Sequence, residues 1–526
     1  MSTERILQLA GAVENSNLDL MHESGEDTIE VSVPASTAAA LYEKVRTTLE
    51  YQEEHLLRRN AISRILRRLL GSDVPLENMA ESLLTELVWA KYLPNKQIPT
   101  RFIDTLAPIF MKYGALFEAV DSTSDREYAF QWILDVLSTE VEYTLMSHEN
   151  EELMASFMYE QLRTRIDWDP KLGYHEEEKD LRLFIAIHQM LLKSNRSTLR
   201  YRTLILYYSA WSGPASASLI AELANNLEKI IATVDFQIDH PLTHQLEIKV
   251  RRKAGVFRTL LDVIEAEGYL EFQKLVLNEP DLLGRAVWKQ LKSRTKLFRV
   301  RLRRTAVRAV MFLFITKMFL ALILEVPYDY FVHGEIFLMP LAINIAFPPI
   351  LLAFISMTAV IPERRNAEDY KSAIRAIIVG ANHDYLNFRM KKPGAGTWTK
   401  IFGVFYAILF FFVFGVIAAG LNQFGFNIFS ILLFIFFLSL VTFFGIRIRT
   451  STKDVVLSPS RAGIVGTIFD ILVLPIVRAG QWLSIKVAKI NVFIYFFDFI
   501  IESPYKVAIK FMEEWFAFVK EKKEEI

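Results

Sequence analysis

Cysteine is absent from all 526 residues, which excludes disulfides, thiolate zinc sites, iron–sulfur clusters and cysteine nucleophiles. Net charge is absent too: 60 Lys and Arg balance 60 Asp and Glu. A nucleic-acid binder working by bulk electrostatics is therefore not expected. There is no GxxxxGK[ST] loop, no HExxH, no GxSxG elbow and no dinucleotide-binding glycine pattern. Up to about residue 300 no apolar stretch reaches the ~18–20 residues needed to cross a bilayer. The opening MSTERILQLAGAVENSNLDLMHESGED lacks a basic start followed by an unbroken apolar run, so no cleavable signal peptide is expected.

What is present is apolarity concentrated in one half. Apolar residues make up 52% of the chain, charged residues 23%, and Phe alone fills 40 positions; the mean hydropathy is +0.23. Beyond Arg304, apolar runs occupy 306–325, 336–361, 401–421 and 428–446. Each is about 20 residues, and at ~1.5 Å per residue each can cross a ~30 Å hydrocarbon core. Ile401-Phe-Gly-Val-Phe-Tyr-Ala-Ile-Leu-Phe-Phe-Phe-Val-Phe would be apolar on every face, as a membrane span is. Four transmembrane helices are predicted.

Their orientation follows from the basic residues. Ten lie between Arg285 and Arg308 with no acid among them, the connection 325–335 has no Lys or Arg, and 362–400 is basic again through Arg364, Arg365, Lys371, Arg375, Arg389, Lys391, Lys392 and Lys400. The turn 422–427 is uncharged, and Arg447, Arg449 and Lys453 follow the fourth run. Both ends of the chain are thus expected on the cytoplasmic side. Arg299, Arg301, Arg303, Arg304 and Arg308 are candidate contacts for anionic lipid headgroups, each worth about 1 kcal/mol near such a leaflet, besides their role in setting topology.

The predicted architecture is all-α. It comprises a polar N-terminal segment (1–35), a cytoplasmic helical domain (36–284), a basic juxtamembrane helix (285–305), a first hairpin (306–361), a basic cytoplasmic loop (362–400), a second hairpin (401–446) and amphipathic helices (447–526). One strand is expected, at Thr28-Ile-Glu-Val-Ser-Val before Pro34. A compact domain and an irregular helical stack both fit the cytoplasmic part. Apolar segments at 464–485 and 489–512 are interrupted by Asp470 and Asp498, which favours interfacial or half-buried helices over further spans.

Inside the membrane three features stand out. Lys317 lies two residues from the middle of the first run, where a charge costs at least ~2.5 kcal/mol on insertion scales. Counted from the outer ends at Glu325 and Ile336, Lys317 and Asn344 fall at the same depth, so a hairpin would let them hydrogen-bond. Pro348 and Pro349 interrupt the second run and free carbonyls one turn back. Lys317, Asn344, Pro348 and Pro349 are therefore the candidate intramembrane polar site. No catalytic, cofactor-binding or metal-ligating residues are expected: His240 and His244 have a ligand-like spacing with Asp235 and Asp239 nearby, but Pro241 interrupts the turn.

Three stretches carry a likeness: Leu41-Tyr-Glu-Lys-Val-Arg with Glu53-Glu-His-Leu-Leu-Arg-Arg-Asn-Ala; Leu199-Arg-Tyr-Arg-Thr-Leu-Ile-Leu-Tyr-Tyr; and Glu325-Val-Pro-Tyr-Asp with Asn344-Ile-Ala-Phe-Pro-Pro. They resemble a family of multi-pass membrane proteins of small-genome candidate-phylum bacteria. The resemblance implies a bacterial inner-membrane location and brings neither an activity nor functional residues. The expectation is a non-enzymatic scaffold, without cofactor, that presents its helical domain to a cytoplasmic protein partner, with the anionic bilayer as its other partner and homo-oligomerisation open. The alternative is an oligomeric channel or transporter using the mid-membrane site.

Overall fold

The computed structural model describes residues 2–19, 27–31, 54–72, 74–358, 363–381, 386–390, 397–452, 455–457 and 464–488. The fold class is all-α. The N-terminal half holds α1 (Ser2–Asp19), α2 (Glu54–Leu70), α3 (Met79–Trp89), α4 (Arg101–Ala119), α5 (Arg126–Leu145), α6 (Glu149–Arg163), α7 (Glu176–Leu191), α8 (Arg196–Tyr207), α9 (Ala217–Asn225), α10 (Leu227–Ile238), α11 (Pro241–Glu267) and α12 (Tyr269–Leu277). Short polar side chains start several of them: Asp125, Asn195 and Ser216 accept from the amides of Tyr128, Thr198 and Leu219, satisfying donors that a helix start leaves bare.

These helices bury two cores. One is formed by α2–α5 with α8–α10, around Leu66, Leu84, Tyr113, Trp132 and Trp211. The other joins α1, α6, α11 and α12 around Met158, Leu246, Phe257 and Phe272. Helix α7 belongs to both, giving Ile185 to the first and Leu183 and Ala186 to the second.

The second core also holds the roots of the membrane region. Helix α13 (Pro280–Leu320) is about 60 Å long at 1.5 Å per residue. It begins inside that core with Leu283, Val287 and Leu291. It continues through a π-turn at Ala321–Glu325 into α14 (Val326–His333). Pro327 explains the π-turn, because it has no N–H and its ring crowds the carbonyl one turn back, so the helix widens there. Then follow α15 (Leu338–Met357), α16 (Glu363–Val379), α17 (Thr397–Gln423), α18 (Ile428–Ser451) and α19 (Ile464–Ala488). Among the described residues four helical stretches are long and apolar enough to cross a membrane: 280–332, 338–357, 403–423 and 428–450. The third is the least covered by protein, and Phe405, Ile408, Phe411 and Phe412 face outward from it.

Several expectations need correcting. The polar segment 1–35 contains α1, whose Ile6, Leu9, Ala10 and Val13 are buried; their 3-1-3 spacing forms one helical stripe. Of the strand expected at 28–33, the described residues 28–31 form one bridge, from Thr28 to Pro99, whose partner is a turn too short to extend a ladder; Ser32 and Val33 lie outside the described residues. The connection 362–400 is more than a loop: α16 buries Tyr370, Ile374 and Ile377 in the second core. Beyond α16, β2 (Phe388–Met390) pairs in parallel with β1 (Ile166–Trp168). The connection 325–335 is helical as far as His333, so Glu325 lies within the first span instead of closing it. Helix α19 packs along α18, where Gly480 comes so close to the Ser439 carbonyl that a Cβ would collide with it. It is a half-buried helix seated on its neighbours, with the Arg478 guanidinium over the Tyr406 ring. The segment 489–512 lies outside the described residues.

Candidate functional site

The intramembrane residues meet around one carboxylate. Lys317, on the last turn of α13, is fully enclosed, and its ammonium donates to Glu325 Oε1 at 3.0 Å. The same ammonium lies 4.4 Å from the centre of the Phe437 ring of α18, a cation–π contact that replaces part of the lost hydration. Asn344, on α15 and 0% exposed, donates from Nδ2 to the same Glu325 oxygen at 2.6 Å. Lys317 and Asn344 are therefore brought together by a shared acceptor, Glu325, and not by the direct hydrogen bond expected between them. Pro348 and Pro349 are buried one turn beyond Asn344.

Further out the chain adds a second polar contact. Asp329, one turn past Glu325 on α14, is 3% exposed and accepts from Asn427 Nδ2 at 2.6 Å. Asn427 also caps α18, its Oδ1 accepting from the Ser430 amide at 2.8 Å. One side chain thus fixes the start of the fourth span and ties it to the end of the first. Glu325, Asp329, Asn427 and Phe437 were missed from sequence. The available signal was Glu325 and Asp329 at i and i+4 beside Pro327, which places both acids on one helical face.

The five candidate headgroup arginines do not join this cluster. Arg299, Arg301, Arg303, Arg304 and Arg308 are exposed along α13, between Thr295, the last residue buried on the side of the N-terminal helices, and Leu313, the first buried among the apolar helices. A helix about 25 Å long, covered little by other protein, therefore carries the basic cluster.

The histidine pair separates onto unrelated partners. His240 caps α11 by accepting from the Leu242 amide, His244 meets Glu247, Asp235 binds Arg200, and Asp239 binds Arg196. Among the described residues no group of three His, Cys, Asp or Glu could hold a metal.

The N-terminal helices contain a buried Lys–Glu pair of their own. Lys112 donates to Glu140, to the Trp211 carbonyl and to the Gly213 carbonyl, which uses all three ammonium protons. Glu140 accepts in addition from Tyr113 Oη (2.7 Å) and the Gly213 amide (3.0 Å). Burial pushes Glu140 up and Lys112 down, each opposed by its partner's charge. A neighbouring pair behaves differently. Burial alone would lower His148, but the hydrogen bond and charge of Glu142 outweigh it and hold the imidazole above its usual range. Burial alone would raise Glu142, and His148 with Arg58 holds it below. His188, buried and beside Arg202, is pulled down to about 3.

No family model, curated protein or solved structure matches this chain.

Proposed function

We propose that this is a non-enzymatic scaffold of the bacterial inner membrane that holds a helical cytoplasmic domain at a fixed distance and orientation from the bilayer. One observation carries the reading: three segments adjoining the spans share the core of the N-terminal helices. These are the start of α13, one face of α16, and residues 455–457. The last are held by Asn366 Nδ2 to the Val455 carbonyl (2.9 Å) and by the Leu457 amide to Asn366 Oδ1 (2.9 Å). A domain tethered only for localisation would need one flexible linker; this one shares a core with its anchor. The basic residues of 285–308, 364–375 and 447–449 support a cytoplasmic placement of that core. An open groove of about 770 Å³ between α1 and α12, lined by Leu7, Gly11, Tyr269 and Leu277, offers a partner an apolar seat.

Photo-crosslinking in cells tests this, using a benzophenone amino acid at Leu277 (55% exposed) or at Tyr330 (61% exposed) in the full-length protein. A truncation at residue 284 is unsuitable, because it removes α16 and most of α13 from the core. The expected result is a discrete cross-linked cytoplasmic protein from Leu277 and none from Tyr330. Solute flux through proteoliposomes that disappears in Glu325→Gln would replace the scaffold with a transporter. That second reading draws on the buried charges of the membrane site, and with four spans per chain it calls for an oligomer, which native mass spectrometry would register.

A further inference from the structure

The membrane cluster is incomplete in hydrogen bonds and in charge. Asn344 Oδ1 is buried and has no hydrogen-bond partner, although Nδ2 of the same amide donates to Glu325. The bare oxygen therefore lies within a few ångströms of the carboxylate. Pro348 and Pro349 have no N–H, so the main-chain carbonyls of Asn344 and Ile345 cannot receive their usual i+4 helical bond. Within this patch, acceptors outnumber donors.

Charge points the same way. Glu325 and Asp329 lie one turn apart and are both buried, so two negative charges fall there when both are ionised, against Lys317 as the one buried cation among the described residues of the spans. Asp329 meets a neutral amide, from Asn427. An uncompensated buried carboxylate in low dielectric costs several kcal/mol, and hard alkali cations select carboxylate, amide and carbonyl oxygens.

We propose that the Glu325, Asp329 and Asn344 cluster binds one alkali-metal cation, with Asn344 Oδ1 and the Glu325 carboxylate as ligands and Asp329 supplying the balancing charge. Lys317, bonded to the same Glu325 oxygen as the Asn344 amide, limits the site to a single added positive charge. The site goes beyond the scaffold reading and does not depend on it: an ion here would lock the outer halves of the first, second and fourth spans together in a scaffold or a transporter alike.

The test is thermal unfolding of the full-length protein in detergent, in sodium, potassium, lithium or choline chloride at constant ionic strength and pH. The expected result is a saturable rise in Tm of several degrees with one of the alkali ions over choline. Asn344→Leu and Asp329→Asn should abolish the rise. Equal Tm in all four salts would overturn the proposal. Repeating the series at several pH values gives a second way to overturn it: a melting temperature that responds to pH identically in choline and in alkali salts, because the surplus charge would then be neutralised by a proton. Should a variant fail to fold, radioactive sodium and potassium binding to the wild-type protein decides instead: saturable binding of about one ion per chain supports the site, and its absence for both ions removes it.

Discussion

The protein contains the same device twice, once in each half, and closes it only in one. Lys112–Glu140 and Lys317–Glu325 are both buried ammonium–carboxylate pairs with an aromatic ring beside the ammonium, Trp211 in the first and Phe437 in the second. In the Lys112–Glu140 pair every ammonium proton has an acceptor and both carboxylate oxygens are used, so the Trp211–Gly213 turn is pinned between α4 and α5. Gly213 adopts φ +77 and, lacking a Cβ, lets both its carbonyl and its amide reach the pair. In the membrane pair two donors share one oxygen and an amide oxygen is left over. A buried polar network stabilises when each member is satisfied; one with a vacant acceptor can still receive something.

The largest effect should come from opening the closed pair. Glu140→Ala strands Lys112, Tyr113 and the Gly213 amide, and removing one partner of a buried pair costs about 3–5 kcal/mol. Chemical unfolding of the full-length protein would measure this; a loss below about 1 kcal/mol would show the network to be less closed than its geometry. Gly480→Ala comes next. Its Cβ would meet the Ser439 carbonyl carbon and oxygen, which belong to the main chain and cannot swing aside, so the expected cost is about 1–3 kcal/mol, seen as a lower Tm in detergent.

Asn344→Leu should cost less than either. It removes one intramembrane hydrogen bond, worth about 0.6 and at most about 1.7 kcal/mol, and it also removes an orphaned oxygen. Measured in choline chloride, the variant should melt within a few degrees of wild type. A loss as large as that of Glu140→Ala would erase the distinction between the two pairs.

The smallest effect is a change with pH that originates in the N-terminal half. His148 has a raised folded pKa, so its contribution is complete below the unfolded value of about 6.5 and is lost as pH rises through the folded value. Glu142 has a lowered folded pKa, so its contribution is present above the unfolded value of about 4.3 and is lost as pH falls through the folded one. Their joint contribution is greatest between roughly pH 5 and 6.5. His188, held neutral, has the opposite sign and destabilises below about pH 6.5. Comparing wild type with His148→Gln at pH 6 and pH 8.5 isolates the first pair: the stability difference should be larger at pH 6.

Orientation can be probed with no energetic change at all. Tyr330→Cys should react with an impermeant maleimide in intact spheroplasts and Leu270→Cys only after lysis, with no native cysteine to give background. The reverse pattern would exchange the sides assigned to the N-terminal helices and to α14.

Apolar runs of spanning length and the 3.6-residue periodicity were enough to read the four long apolar helices and the all-α class, because both are local properties of consecutive residues. Lys317, Asn344, Pro348 and Pro349 were legible for the same reason: each is out of place in an apolar run. Tertiary packing decided what local patterns do not encode. The burial of α1 and α16 needs partners more than a hundred residues away, and β1 and β2 pair across more than two hundred. The choice of Glu325 as the shared acceptor depends on a π-turn that carries it inward toward Lys317 and Asn344. Counting residues from the end of a run gives depth along a helix, whereas the side chain that lies between two helices is set by how they are rotated against each other.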